Sequence, residues 1–464
     1  MKKITFALFL IFTGHMLCHA QNYAGSWKGT LSFPGGSLKI VYHVAEDGDR
    51  YKATMDSPDQ MVMGLPVRRV YAKADSITFD MKEIGMEFKG VLSGKDKISG
   101  KFYQNGAAFP LELSRNGGSA YDRPQTPAKP YPYQEREIRV KGKDEIVSLA
   151  GTLTFPSGDK AKHYPTVILI TGSGPQDRNE EIFGHKPFLV IADSLTRAGY
   201  AVYRYDDRGT GQSSGKYASA TIEDFATDAE AVFDYIKTLP EVDNKEVFLM
   251  GHSEGALIAA MVAAKNKDIA GVISMSGPVV SIKKLLLEQT SKISSLMGVS
   301  EDKIAHTSKL NMALYDLISD KTLPSDSLYP KIVRISSTYL GDELKFLPDD
   351  RQKELYRKIE AEVNSPWIRS IIDLDPATYF TQLRCPVIGL YGSKDAQVLP
   401  GNAQKLQEVC PHARVRVFDG LNHLLQPADK GLPQEYVSIP ITISSDALRW
   451  LVQQLKAITP PEKK

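Results

Sequence analysis

Gly251-His252-Ser253-Glu254-Gly255 sets one hydroxyl between two residues that have no side chain. The pentapeptide follows the apolar run Val247-Phe248-Leu249-Met250 and precedes the helix-forming run Ala256 to Lys265. A serine on a sharp strand-to-helix turn crowds its own backbone, so the positions two before and two after it must be nearly bare. Its hydroxyl then stands clear of the sheet at the positive end of the following helix, the setting of a nucleophile. A Gly-x-Ser-x-Gly also arises by chance in glycine-rich loops, but the strand before it and the helix after it remove most of that alternative. A serine hydroxyl is a weak nucleophile until a base takes its proton, so the chemistry needs a histidine, and an acid to orient it, farther along the chain.

Both residue types are there. Cys385-Pro386-Val387-Ile388-Gly389-Leu390-Tyr391 reads as a buried parallel strand, and Gly392-Ser393-Lys394-Asp395 leaves its carboxyl end, where the sites of open α/β sheets gather. Asp395 is the expected acid. Arg414-Val415-Arg416-Val417-Phe418 forms the next strand, and Asp419-Gly420-Leu421-Asn422-His423 follows it, which makes His423 the expected base. Taken singly, Asp395 is also a plausible turn residue and His423 a plausible surface histidine; in this chain order, each just past a strand, the pair is hard to explain otherwise. Asp419, four residues from His423 on the same loop, is the rival acid. Of the other histidines, His15 and His19 fall in a leader and His43 in a separate domain. His252 adjoins the nucleophile, and adjacent side chains point apart, so it is expected in the pocket wall. His163, His185, His306 and His412 have no comparable setting.

Acyl transfer also needs two hydrogen-bond donors aimed at the developing oxyanion. One is expected from the backbone N–H of Glu254. The other should come from the loop after the domain's third strand, where Tyr164 to Ile170 runs into Thr171-Gly172-Ser173-Gly174-Pro175. The N–H of Ser173, or failing that Gly174, is the candidate. A loop of this kind also suits a tight turn or a phosphate, but without a G-x-x-x-x-G-K-[ST] pattern nucleotide binding is set aside.

On these motifs the chain resembles the α/β-hydrolase family, and within it the bacterial acyl-hydrolase branch related to dienelactone hydrolases, serine aminopeptidases and carboxylesterases. The resemblance spans roughly residues 134–460 and includes Gly172 to Glu180, the Asp206-Asp207-Arg208-Gly209-Thr210-Gly211 turn, the elbow, and the loops of Asp395 and His423. It implies a doubly wound, mostly parallel sheet and a Ser-His-Asp triad working through an acyl-enzyme. Dienelactone hydrolases carry cysteine where this chain has Ser253, which favours ester hydrolysis. An exopeptidase and an acyltransferase use the same triad and stay open as alternatives, as does a ligand-binding protein with an inactive hydrolase domain.

The elements that must position these residues occupy about two thirds of the 464 residues. Tyr164 to Ile170, Gly199 to Tyr205, Ala270 to Ser276 and the strands named above alternate with helical runs such as Thr221 to Leu239. Residues 281–378, rich in Leu, Lys, Glu and Ser with helical periodicity, are expected to form a lid inserted between two core strands. Trp367, Ile368, Ile371, Ile372, Tyr379 and Phe380 are candidates for an acyl pocket or for fixing that lid to the core.

Before residue 134 the pattern changes. Ser26 to Phe33, Leu38 to Val44, Tyr51 to Met55, Val67 to Ala72, Ser76 to Met81, Glu87 to Leu92, Ile98 to Tyr103 and Phe109 to Leu113 alternate, with glycine or aspartate between them. An all-β domain over residues 21–115, barrel or sandwich, is expected. Gly25-Ser26-Trp27-Lys28-Gly29 is faintly similar to a lipocalin-type barrel, and Trp27 is expected to plug the barrel floor. Residues 116–133, with Pro124, Pro127, Pro130 and Pro132, read as a linker to a catalytic domain over 134–464.

Residues 1–20 are expected to be a signal peptide: Lys2 and Lys3, an apolar core from Ile4 to Phe12, and a small residue at Ala20, so that Gln21 would start the mature chain. The apolar stretch is short for a membrane span. Leu17 before Cys18 is a poor match to a lipidation signal, so export to the periplasm or beyond is expected, with no transmembrane span after cleavage. Cys385 and Cys410 are left in the mature chain, and their pairing stays open. With a formal charge of +2 there is no electrostatic reason to expect nucleic acid or an anionic surface as a partner. No H-E-x-x-H or close Cys/His cluster implies a metal, and no organic cofactor is implied. A small-molecule ester is the expected partner; the number of subunits is open.

Overall fold

A strand sends successive side chains to opposite faces, so alternation over residues 23–115 buries one face of each strand. The computed structural model describes residues 23–33, 36–48, 50–60, 62–115, 123–158, 163–322 and 325–459. The expected signal peptide with Cys18 and the first half of the expected linker lie outside the described residues. The chain divides into two compact units after Asp122.

In the first unit nine antiparallel strands form one curled sheet. They are β1 (Gly25–Phe33), β2 (Gly36–Asp47), β3 (Arg50–Ser57), β4 (Val62–Val67), β5 (Arg69–Lys73), β6 (Ser76–Met81), β7 (Met86–Ser93), β8 (Lys97–Gln104) and β9 (Ala107–Ser114). The order β4-β3-β2-β1-β9-β8-β7-β6-β5 leaves β4 and β5 as the two edges of a nearly closed barrel. Val67 to Ala72, expected as one strand, is instead the end of β4 and most of β5: the chain bends at Arg68 and so passes from one edge of the sheet to the other. Trp27, Tyr42, Phe79, Phe88 and Phe102 fill the interior. Tyr42 and Phe79 stack at 4.0 Å. Trp27 donates its indole N–H to the carbonyl of Tyr23 at 2.8 Å, and the Arg115 guanidinium lies 4.3 Å over its ring. This core is occupied by side chains, as in small barrels generally.

The second unit is built on eight strands: β10 (Tyr133–Lys141), β11 (Ser148–Pro156), β12 (Tyr164–Ile170), β13 (Ala201–Tyr205), β14 (Val242–His252), β15 (Gly271–Met275), β16 (Val387–Gly392) and β17 (Arg414–Phe418). Their order is β10-β11-β13-β12-β14-β15-β16-β17. The pairs β10/β11 and β11/β13 are antiparallel and all others parallel. Numbered within the unit, the order is 1-2-4-3-5-6-7-8. A strand covered on both faces must be apolar on both, which is why Thr166-Val167-Ile168-Leu169-Ile170 shows no alternation. Val167 and Leu169 face one core, Ile168 and Ile170 the other.

The helices are α1 (Pro187–Arg197), α2 (Ile222–Ile236) and α3 (Glu254–Lys265). Between β15 and β16 come α4 (Ile282–Leu296), α5 (Glu301–Ser319), α6 (Ser325–Leu344), α7 (Asp349–Val363), α8 (Pro366–Ile371) and α9 (Ala377–Phe380), and the chain ends with α10 (Gly401–Val409) and α11 (Ser445–Ile458). Helices α1 and α11 cover one face through Phe188, Leu195 and Leu451, and α2, α3 and α10 cover the other through Val232, Leu257 and Leu406. The start of α2 is set by a capping box, in which the Thr221 hydroxyl accepts from the N–H of Asp224 and the Asp224 carboxylate accepts from the N–H of Thr221. Helices α4 to α9 dock on the α3 face through Ile282, Ile332, Ile371 and Phe380. Among the described residues no helix is long and apolar enough to cross a membrane.

Within the span expected as linker, Arg123 is buried. Its guanidinium donates to the carbonyls of Phe183, Tyr436, Val437 and Ile439, so this part of the expected linker is anchored in the second unit.

Candidate active site

Strand β14 runs into α3 with a single residue between, and that residue is Ser253. Its φ of 52° and ψ of −119° lie where a side chain is strained, at a cost of about 1–3 kcal/mol. The surroundings impose this. Its N–H donates to the carbonyl of Met275 on the neighbouring strand at 2.9 Å. A Cβ on Gly251 would sit 2.0 Å from the carbonyl of Gly255, and one on Gly255 would sit 2.2 Å from the carbonyl oxygen of Ile170. The two glycines let strand, turn and helix approach closely enough to hold the serine in that conformation.

Asp395 and His423 meet after β16 and β17. The Asp395 Oδ2 lies 2.8 Å from Nδ1 of His423, and both residues are buried. The other carboxylate oxygen accepts the N–H groups of Gln397 and Val398, each at 2.8 Å. With its two oxygens so engaged, Asp395 can only accept from the imidazole. Nδ1 therefore carries the hydrogen and Nε2 keeps its lone pair. Asp419 does not compete: it is exposed and accepts from the Ser393 hydroxyl at 2.9 Å. Ser253, Ser173 and Glu254 line one cavity of about 80 Å³ together with Gln397 and Val398 from the Asp395 loop. Ser253, the Asp395 loop and the loop after β12 thus converge on one space.

Of the two expected oxyanion donors, Glu254 opens α3, where backbone N–H groups have no partner within the helix. In the loop after β12, the N–H of Gly172 is taken by the Glu180 carboxylate at 2.7 Å, which leaves Ser173 as the next donor along the chain. Glu180 was expected only as the end of the resembling stretch from Gly172, with no role of its own. It sits at φ 53°, and the same Oε1 that accepts from Gly172 accepts from Nδ1 of His252 at 2.9 Å. Nε2 of His252 faces the carbonyl oxygen of His423 at 3.2 Å. Both ring nitrogens therefore face acceptors, which suits an imidazolium. Burial alone would pull this histidine's pKa down, but Glu180 and the His423 carbonyl more than reverse it, and the pKa is raised. His252 is thus a strut in the wall that ties the oxyanion loop to the histidine loop.

The Asp206 to Gly211 turn supports that loop from behind. Asp207 accepts from the Thr171 hydroxyl at 2.7 Å and the Gln176 N–H at 2.9 Å. Burial pushes its carboxyl up to about 8, partly offset by those bonds. Arg208 pairs with buried Asp228 at 2.6 Å, anchoring the turn to α2.

The Glu254 side chain is also buried, and its Oε2 accepts the indole N–H of Trp367 from α8 at 2.7 Å. Burial raises this carboxyl to about 7, with the Trp367 bond acting the other way. Of the six residues proposed for the acyl pocket, Trp367 and Ile371 line the cavity. Ile368, Ile372 and Phe380 are buried in the core, and Tyr379 packs against it, so these four fix the inserted helices. More of the apolar wall comes from Leu257 of α3, Pro278, Val398, and Ile282, Leu285 and Leu286 of α4; the α4 residues were not expected there. Their i, i+3, i+4 spacing was the available signal. Among the described residues no group of His, Cys, Asp and Glu is placed to hold a metal ion, and Cys385 and Cys410 are unpaired.

A sheet of order 1-2-4-3-5-6-7-8 with a glycine-flanked serine after its fifth strand, an aspartate after its seventh and a histidine after its eighth is the arrangement of the α/β-hydrolase fold, which the second unit adopts. A sequence profile described as "Serine aminopeptidase, S33" matches residues 186–338, a span that holds Ser253 but ends before Asp395 and His423. Esterase EstD of Thermotoga maritima is 24% identical over 390 residues, covering 82% of this chain and 79% of that protein. The uncharacterized protein YcjY of Escherichia coli is 27% identical over 133 residues, 28% of this chain and 41% of that one. Among solved structures, the Pyrococcus furiosus esterase Pf2001 superimposes with a TM-score of 0.43 at 18% identity, over 74% of this chain and 100% of its own.

Proposed function

We propose that the protein is a serine hydrolase of carboxylic esters, exported from the cell that makes it. The observation that carries the reading is the buried Asp395–His423 pair, which fixes the imidazole tautomer, with the Asp395 loop lining the same cavity as the strained Ser253. Ser253 attacks the ester carbonyl as His423 Nε2 takes its proton. The N–H groups of Glu254 and Ser173 hold the oxyanion. The imidazolium then gives the proton to the departing alcohol, leaving an acyl-serine, and a water activated by the same histidine releases the acid and restores Ser253. The likeness to a Thermotoga maritima protein named an esterase, along most of both chains, supports the ester over the amide as substrate. Lys2, Lys3, the Ile4 to Phe12 run and Ala20 support export.

The test is a panel of chromogenic esters and aminoacyl amides, run with and without a serine-directed fluorophosphonate. Ester turnover abolished by the reagent is expected. Faster amide turnover would make the protein a peptidase, labelling without turnover a transferase, and neither labelling nor turnover a ligand-binding protein.

The same reading gives Glu254 a measurable effect. Near pH 7 its carboxyl ionises beside the site where negative charge develops on the substrate. Above that pH the carboxylate opposes the oxyanion; below it the neutral acid does not. An unfavourable interaction of about 1 kcal/mol corresponds to roughly fivefold in rate. Glu254→Gln keeps an acceptor for Trp367 and cannot ionise. The ratio of its kcat/KM to that of the wild type is therefore expected to rise several-fold between pH 6 and pH 8.5. A ratio that is flat across this range would show that the Glu254 charge is not felt at the reacting carbonyl.

A further inference from the structure

The near-neutral charge of the whole chain hides a local imbalance. Along the seam of the first unit, where β3 ends its pairing and β5 begins, runs an open groove of about 860 Å³. Arg50 and Lys52 of β3, Arg68 at the bend, and Arg69 and Lys73 of β5 line it, and Asp47 is the single acid among the lining residues. All five cations are exposed. Lys52 reaches Asp47 only at 4.0 Å and Arg68 meets the exposed Glu83 at 3.2 Å, pairs of little strength in water. Among the described residues no ion pair engages Arg50 or Lys73. Such an accumulation of like charge opposes folding, and the two exposed pairs and the Arg69–Tyr71 hydrogen bond at 3.5 Å offset little of it, which leaves a surface suited to an external anion.

The spacing adds to this. Arg69, Tyr71 and Lys73 are alternate residues of one strand, so they form a row with about 6.7 Å between successive members. The middle member is a tyrosine left 52% exposed, whereas Tyr51, between Arg50 and Lys52, turns inward against Tyr23 and the barrel core. A row of cations with an exposed aromatic ring between them, beside Arg50 and Lys52, suits a linear polymer of rings that carry negative charge: the cations meet the charges and Tyr71 meets a ring face. The barrel interior is already filled by Trp27, Phe79 and their neighbours, which leaves the groove, not the interior, as the place for a ligand.

We propose that this groove binds an acidic polysaccharide strand, and that the esters hydrolysed at Ser253 are acyl groups carried on such a polymer. The second half of the proposal rests on the ester-hydrolase reading, which also decides between polyanions: a polysaccharide hydroxyl can bear a carboxylic ester, and the backbone of a nucleic acid offers none to cleave.

The full chain is tested by electrophoresis through gels containing polygalacturonate, neutral dextran or oligodeoxythymidylate, at two salt concentrations, and by kinetics on p-nitrophenyl acetate and on acetylated polygalacturonate. Retardation by polygalacturonate but not dextran is expected, weakening with salt. The triple variant Arg50→Glu, Arg69→Glu, Lys73→Glu is expected to lose about tenfold or more in binding and to raise KM on the acetylated polymer, with kcat/KM on p-nitrophenyl acetate unchanged. The neutral pair Arg50→Gln, Lys73→Gln is expected to move both in the same direction by less, and it stands in if charge reversal impairs folding. Undiminished binding by the variants, or no retardation of the wild type, overturns the proposal, and tighter binding of oligodeoxythymidylate than of polygalacturonate assigns the groove to nucleic acid instead. If the groove variants lose polygalacturonate binding while the wild type hydrolyses neither ester, the polysaccharide site stands and the ester-hydrolase reading is what fails.

Discussion

Ser253→Ala is expected to leave a folded protein whose kcat on a small chromogenic ester is lower by on the order of 10⁶. The size of the loss follows from what the hydroxyl does alone. Without it there is no acyl-enzyme, and His423 has no proton to take, so the base and its orienting acid contribute nothing further; residues that act as a unit fail as a unit. The donors at Glu254 and Ser173 would still bind a polarised carbonyl, which leaves a small residual rate over water. Folding should be spared, because the strained turn is held by the Ser253 backbone N–H bonded to Met275 and by the close approach of Gly251 and Gly255, none of which involves the hydroxyl. The measurement is steady-state kcat alongside circular dichroism. A variant that kept a tenth of wild-type activity would remove Ser253 from the nucleophile's role.

Asp395→Asn is expected to lower kcat by roughly 10⁴, while Asp419→Asn changes it little. At position 395 the amide would be forced into one orientation. Gln397 and Val398 each present an N–H at 2.8 Å to Oδ1, so the amide oxygen must stay there and the amide NH₂ must face His423. An NH₂ donates, so it selects the imidazole tautomer whose Nδ1 accepts. The proton then sits on Nε2, the nitrogen that should be taking the Ser253 proton. Fold and cavity are retained while the base is disabled. Asp419 meets only the Ser393 hydroxyl on the surface, and an asparagine oxygen can accept that bond equally well. Comparable losses for the two variants, or the reverse ranking in kcat, would overturn the assignment of Asp395.

The turn at Ser253 and the loops that carry Asp395 and His423 were legible before the fold because each depends on local chemistry. Glycines two before and two after a serine, an apolar run before a turn, and a loop that leaves a strand end are constraints a few residues long, and backbone sterics enforce them wherever they occur. The strands β12 and β17 could be placed to the residue for the same reason: a short apolar or alternating run bounded by turn residues has one economical conformation. Val67 to Ala72 shows the limit. Its composition is that of a strand throughout, but the bend at Arg68 is set by the need to carry the chain from one sheet edge to the other, which no local pattern records.

The supporting contacts lie beyond what spacing can show. Glu180 meets Gly172 and His252 across 8 and 72 residues of chain, and Trp367 meets Glu254 across 113. Periodicity marked α4 and α8 as helical, but a helix has several apolar positions and only packing decided that Ile282, Leu285 and Trp367 face the cavity while Ile368 and Phe380 face the core. The charge of the groove followed the same rule. Summed along the chain, acids and bases nearly cancel, and only the folded barrel gathers Arg50, Lys52, Arg68, Arg69 and Lys73 to one side of a seam. The sequence by itself determined the strained turn at Ser253 and the strand-end loops that bear Asp395 and His423, since those rest on interactions among neighbours in the chain. Tertiary structure alone decided what holds them and what surrounds them, because long-range contacts form from whichever side chains the packed elements bring together, and their distance along the chain carries no trace of it.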